Sequence, residues 1–278
     1  MPAPDAPRLP DLAPLLAPRT VAVIGASPRA SNMGHQILSN LLDFGFTGTV
    51  YPVNPRAHAI RAVRAHRTIA EVPEAVDTAV VVVPKDQALE VAEQCGEAGV
   101  KGLIVITAGF REVGGDGVAL ERRLMAVVRR HGMRMIGPNC MGVVNADPAV
   151  AMNATFAPIM PPFGHSAFVS QSGALGMSVL DYAREYGIGI SQFVSIGNSP
   201  DVGSTDLLEQ WEHDPAVRVI LMYVENFGDP RRFLATASRI TKHKPIIVVK
   251  SGRSSAGARA ASSHTGALAA SDTAVDAM

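Results

Sequence analysis

Cysteine is scarce in this chain of 278 residues. Only Cys95 and Cys140 occur, and neither belongs to a C-x-x-C pair. That argues against a disulfide framework and a cysteine-based zinc site, and it fits a reducing compartment. Net charge is missing too: 25 Lys and Arg balance 25 Asp and Glu, with no basic run. Broad nucleic-acid binding by phosphate neutralisation is therefore not expected, although a local basic pocket for a small anion remains open. No stretch of about 18 apolar residues runs without a charge or a Gly/Pro break, so no membrane span is expected. Residues 1–18 are rich in Pro and Ala and lack a basic segment followed by an apolar one. They read as a flexible lead with one short helical turn, not as a signal peptide. These absences predict a soluble, cytoplasmic protein with no metal-ligand cluster. Apolar residues, by contrast, make up 47% of the chain and charged ones 18%, enough to bury a sizeable core unaided.

From residue 19 onward, apolar runs alternate with helical patterns. Residues 20–25 (TVAVIG), 49–53, 78–83, 102–107 and 134–136 read as strands. Residues 33–44, 87–98 and 118–131 carry helical spacing. Strands apolar throughout are buried on both faces, and their alternation with helices predicts a parallel, doubly wound sheet. Residues 137–164 break the rhythm with five prolines, so 146–164 reads as a connection between a first domain, 19–145, and a second, 165–278. In the second, strands are expected at 166–170, 188–195, 218–224 and 245–250, with helices at 174–186, 205–213 and 230–242. The fold class is thus α/β, with two doubly wound parallel-sheet domains. The end at Met278, inside a probable helix from Ala267, suggests a fragment.

Ligands of doubly wound sheets bind at the carboxyl ends of the strands. The first strand ends in Gly25, Ala26 and Ser27, and the next helix opens near Gly34. A glycine there lets a ligand approach the backbone while the helix start offers N–H groups to an anion; such a glycine can also serve packing, but its position in a doubly wound sheet favours the ligand. The dinucleotide fingerprint G-x-G-x-x-G is absent. The second strand ends in Asn54, Pro55 and Arg56 rather than in an acid. An arginine suits a phosphorylated ribose, such as that of CoA, better than a free diol, which disfavours NAD and leaves NADP supported by the arginine but not by the turn. Val83, Pro84 and Lys85 end the third strand, Thr107, Ala108, Gly109, Phe110 and Arg111 the fourth, and Asn139 follows the fifth. Each is an ordinary turn taken singly; together they mark a ligand edge.

In the second domain, Ser170, Gln171, Ser172 and Gly173 follow a strand and open a helix. They can simply cap it or can cradle a phosphate. His264 follows a long small-residue segment, 251–263, that makes poor packing material. A loop of this kind can carry a nucleophile, and a histidine can accept a phosphoryl group on a ring nitrogen. Glu225, at a strand end on the same edge, is a candidate orienting carboxylate, and Arg253 and Arg259 are candidate phosphate partners.

At this point the motifs GAS…GH (25–35), YPVNP (51–55), ITAGFRE (106–112), GPNCMG (137–142), VSQSGALG (169–176) and SGRSSAGARAASSHTGALA (251–269) resemble those of NDP-forming (ADP-forming) acyl-CoA synthetases, relatives of the succinyl-CoA synthetase alpha subunit. The resemblance implies a Rossmann-like CoA-binding domain followed by a flavodoxin-like CoA-ligase domain. It implies that His264 is phosphorylated, that Glu225 contacts it, and that residues 170–173 hold the phosphate. It implies CoA contacts at the Gly25 turn and in loops 54–56, 83–85 and 107–111. The reaction it implies joins an acyl acid and CoA with conversion of ATP to ADP and phosphate. Nucleotide and Mg are then held mainly by an ATP-grasp domain or subunit, and a homo- or hetero-oligomer is expected. Two other readings stand beside it: a regulatory CoA- or nucleotide-binding region of a GNAT-fused lysine acetyltransferase, and an NADP-linked oxidoreductase. The absent fingerprint counts against the latter.

Overall fold

A computed structural model of the chain describes residues 11–251. His264, the segment preceding it from residue 252, the helix expected from Ala267 and residues 1–10 lie outside the described residues. The first sheet is parallel throughout. It comprises β1 (Thr20–Ile24), β2 (Thr49–Val53), β5 (Thr78–Val81), β6 (Gly102–Val105) and β7 (Arg134–Ile136), in the order β2-β1-β5-β6-β7. A minor hairpin, β3 (Ala59–Ile60) and β4 (Val63–Arg64), stands beside it. All positions of β1, β5 and β6 are buried, as expected for strands covered on both faces. The order reverses between β1 and β5, which opens a crevice at their carboxyl ends.

Helices α2 (Met33–Asp43), α3 (Lys85–Glu97) and α4 (Asp116–Arg130) cover this sheet. The start of α2 is set by Asn32, whose Oδ1 accepts the Gly34 N–H at 2.8 Å. Its stripe of Ile37, Leu38 and Leu41 is buried.

The second sheet has the order β13-β12-β10-β11-β8-β9, built from β8 (Gly142–Asn145), β9 (Met152–Thr155), β10 (Ser166–Ser170), β11 (Ile190–Ser195), β12 (Val219–Val224) and β13 (Ile246–Lys250). Four of these strands are parallel, and the sheet carries α5 (Gly173–Glu185), α6 (Ser204–Glu212) and α7 (Pro230–Ile240). The expectation of a purely parallel sheet is corrected by β8 and β9, which add antiparallel at one edge. β9 lies in the stretch 146–164, whose prolines suggested a mere connection, and β8 at the end of the expected first domain pairs instead into the second sheet. The prolines flank the strands instead of interrupting them, and every position of β8 and β9 is buried.

The domains share one apolar cluster running from Ile37, Val80 and Ile104 to Val143, Val169 and Trp211. Across the same boundary Asn40, buried in α2, donates to the carbonyls of Thr155 at 2.7 Å and Ala157 at 2.9 Å.

The described part of the expected flexible lead is packed. Helix α1 (Ala13–Leu16) buries Leu12, Leu15 and Leu16. The Asn145 amide donates to the Leu16 carbonyl at 2.9 Å, and the Thr78 hydroxyl donates to the Pro14 carbonyl. A four-residue helix has too few internal bonds to stand alone, so tertiary packing holds it. Leu15→Ala should therefore cost about 2–5 kcal/mol, read as a lowered denaturation midpoint; an unchanged midpoint would return this segment to a loose lead.

Candidate functional site

Two glycines build the first turn. Gly25 has φ +94°, and a Cβ there would lie 2.3 Å from the Val82 carbonyl oxygen; a Cβ on Gly34 would lie 2.3 Å from the carbonyl oxygen of Gly25. The start of α2 and the end of β5 thus press on the β1 turn backbone to backbone. His35 Nδ1 donates to the Ser27 carbonyl at 2.8 Å, and Asn54 Nδ2 donates to the Ala26 carbonyl at 2.7 Å. Asn54 Oδ1 accepts the N–H groups of Arg56 at 2.8 Å and Ala57 at 3.0 Å, so this side chain shapes the turn that presents Arg56. A cleft of about 560 Å³ results, lined by Gly25, Ser27, Asn54, Pro55, Arg56 and Arg67 among others.

A second cleft, of about 740 Å³, lies between the domains. Thr107, Ala108 and Lys85 line it from the first domain, Gln171, Ser172, Gly173 and Ala174 from the second, and Asn139 from the junction. The two clefts adjoin: Asn32, Val82, Val83 and Pro84 line both.

At the far wall, the Ser172 hydroxyl caps α5 by accepting the Leu175 N–H at 3.3 Å. The Ser170 hydroxyl donates to the Ser172 carbonyl at 2.7 Å and so serves the loop itself. The N–H groups of Gly173 and Ala174 belong to the first turn, which has no intrahelical acceptors for them and carries no acidic side chain. No acidic side chain of the helix's own first turn offsets the positive end of its dipole where these residues line the cleft, an arrangement suited to an anion.

The second sheet's own reversal falls between β10 and β12. There Gln171 Oε1 accepts the N–H groups of Glu225 and, at 3.0 Å, Asn226, spanning the two strand ends. Glu225 is buried at this point.

Five expected CoA contacts, Ala26, Gly34, Gly109, Phe110 and Arg111, line neither cleft, and neither do Ser170 and Glu225; for two of them the cause is plain. Phe110 is fully buried in the first domain's core. The Arg111 guanidinium turns to the domain boundary, donating to the Asn198 carbonyl, with its Nε 3.6 Å from Glu121. Apolar clustering, invisible in a loop motif, governs the first; a long-range pairing governs the second. Sequence reasoning also passed over Asn32, Arg67, Met33, Met141, Phe156 and Met177, all cleft-lining. Asn32 was legible as a helix cap; the methionines carry no local signal.

Fold and site together define a CoA-binding domain joined to a ligase-type flavodoxin-like domain. Residues 19–146 match the CoA binding domain family, and residues 163–278 match the succinyl-CoA ligase like flavodoxin domain. The ADP-forming acetate–CoA ligase I of Archaeoglobus fulgidus is 44% identical over 92% of this chain and 37% of its own length. The alpha subunit of the ADP-forming acetate–CoA ligase I of Pyrococcus furiosus is 44% identical over 93% of this chain and 56% of its own. The solved structure of the dinucleotide forming acetyl-coenzyme A synthetase 1 of Ca. Korarchaeum cryptofilum, in complex with phosphate and ADP, superposes with a TM-score of 0.91 at 45% identity. It covers 96% of this chain and 57% of that one. The chain belongs to the ADP-forming acyl-CoA synthetase family, and it spans roughly a third to a half of the length of these curated relatives.

Among the described residues no cluster of three or more His, Cys, Asp or Glu is placed to hold a metal, and no helix is long and apolar enough to cross a membrane. Burial pushes both cysteine thiols up to about 12, although Cys140 borders the larger cleft. At pH 8 each is then protonated and a poor nucleophile. Iodoacetamide at that pH should leave the native chain unlabelled and modify two thiols after denaturation, as read by intact mass; rapid native labelling of Cys140 would contradict its inert role.

Proposed function

We propose that this chain is the CoA-binding and phosphohistidine portion of an ADP-forming acid–CoA ligase. The observation that carries this reading is the pair of adjoining clefts, which runs from Arg56 and Arg67 to the N-terminus of α5. CoA lies along that path. Its phosphorylated adenosine meets the Gly25 turn and the arginines, and its thiol reaches toward Gly173. In the acyl-CoA-consuming direction, phosphate held at the Gly173 and Ala174 N–H groups attacks the thioester carbonyl and releases CoA as the leaving thiol. His264 then takes the phosphoryl group from the acyl phosphate, freeing the acid, and passes it to ADP to give ATP. Glu225 orients the imidazole and offsets the cation that forms.

Nucleotide and Mg are supplied by an ATP-grasp domain or partner subunit. The relatives support this division, since one is named as an alpha subunit and another is a longer single chain. A cytoplasmic setting is part of this reading, in keeping with the two free, buried cysteines. The regulatory acetyltransferase reading gains no support from relatives named as ligases.

Calorimetric titration of the chain with CoA, 3′-dephospho-CoA, NADP and ADP tests the binding half. CoA should bind at micromolar level, and loss of the 3′-phosphate or Arg56→Ala should each weaken it about tenfold, roughly 1.4 kcal/mol. Tight NADP binding without any CoA heat would contradict the reading. In the complete ligase, ATP should leave an acid-labile phosphate on this chain that His264→Asn abolishes; phosphate retained by that variant would exclude His264 as the carrier.

A further inference from the structure

The loop between β11 and α6, residues 196–203, reaches across the domain boundary. At its centre is Asn198, 2% exposed. The side-chain amide nitrogen donates to Glu112 Oε2 at 2.6 Å and to Glu121 Oε2 at 2.8 Å, and Oδ1 lies 3.4 Å from the Asn139 amide nitrogen. The main-chain N–H donates to the Pro138 carbonyl at 3.0 Å, and the main-chain carbonyl accepts from the Arg111 guanidinium. Every polar group of this residue is therefore engaged by the first domain or the junction. A second tie stands beside it: Asp201 accepts from Arg134 Nε at 3.1 Å and from the Met135 N–H at 2.7 Å.

Glu112 does more than grip Asn198. Its carboxylate also accepts the N–H groups of Gly109 at 2.5 Å and Phe110 at 3.1 Å, fixing the loop that carries Thr107 and Ala108 into the cleft. Burial opposes its ionised form, yet the hydrogen bonds from Asn198, Gly109 and Phe110 outweigh that and hold the carboxyl below its usual value. On the other side, Gly197 lines the cleft directly. It has φ +54°, and a Cβ there would lie 2.3 Å from the Asn139 carbonyl oxygen. Ile196 N–H donates to the Ser170 carbonyl at 2.9 Å. A short run of bonds thus connects the first domain's cleft wall, through Asn198, to the loop that opens α5.

We propose that Asn198 is a positioning residue: gripped by Glu112 and Glu121, it sets the distance between the CoA-side loop and the anion-binding start of α5. This inference rests on the ligase reading above. Only a side chain that donates two hydrogen bonds suits the place. An aspartate would set a third carboxylate against the half-buried Glu112 and the buried Glu121, with Arg111 as the nearby cation.

The test uses the complete ligase with its nucleotide-binding portion. Asn198→Asp should lower kcat about 10- to 100-fold, the effect expected of a small misplacement between reacting groups. CoA affinity by calorimetry should stay within about twofold, because the Gly25 turn and Arg56 are remote from the change. Combining Asn198→Asp with both Glu112→Gln and Glu121→Gln restores the two amide–carboxylate hydrogen bonds in the opposite sense and should recover most of the lost kcat. This exchange variant also carries the test if the single variant fails to fold. An unchanged kcat in Asn198→Asp, a parallel loss of CoA affinity, or no recovery in the exchange variant would overturn the proposal. Absence of CoA binding by the unaltered enzyme would instead overturn the ligase reading.

Discussion

At Gly25 three backbone segments meet with no room for a side chain between them. The turn after β1 lies under the Val82 carbonyl, and the start of α2, at Gly34, lies against the carbonyl of Gly25. Both contacts leave about 2.3 Å for any added methyl, far inside van der Waals separation. This close approach sets where α2 begins, how near β5 comes, and where the crevice between β1 and β5 opens. Both clefts border that crevice at Val82 and Val83. The rest of the site is arranged around it: Asn54 braces the neighbouring turn from Ala26, and Thr107 ties the end of β6 to the Val83 carbonyl at 2.8 Å.

The second domain repeats the principle with different chemistry. Its strand-order reversal is bridged by a side chain, Gln171, rather than by glycine contact. The adjacent helix start is capped by Ser172 and has no acidic side chain in its own first turn where it meets the cleft. A nucleotide-type turn in one cleft and an anion-type helix start in the adjoining one thus stand along a single path, the arrangement that the proposed acyl transfer between a thiol and a phosphate requires. Neither domain holds both elements, so the alignment of the two domains is itself part of the site. The shared apolar cluster and the polar ties at Asn40, Asn198 and Asp201 maintain that alignment.

Much of this was legible in the sequence because it is local. Apolar strands such as TVAVI and VILMYV, caps such as Ser172, and glycine turns at strand ends depend on a few adjacent residues. What escaped depends on partners distant in the chain. Strands β8 and β9 are short and lie among prolines; β8 gains its identity from pairing with β11, and β9 from pairing with β8. Helix α1 is held by Thr78 and Asn145. Arg111 sits in a motif that resembles a coenzyme contact, yet its guanidinium reaches Asn198, 87 residues away. The loop and strand-end context made His264 and Glu225 candidates, and the resemblance implies the same roles for them. The structure adds where Glu225 stands, at the second reversal point beside Gln171, while His264 lies outside the described residues.

The central claim is that one coenzyme molecule spans both domains. Hydrogen exchange of backbone amides, measured with and without saturating CoA, addresses it most directly. The account predicts added protection in two separate stretches, residues 25–27 of the first domain and residues 173–174 at the start of α5. Protection confined to the first stretch, with the α5 start exchanging as in the free chain, would contradict it.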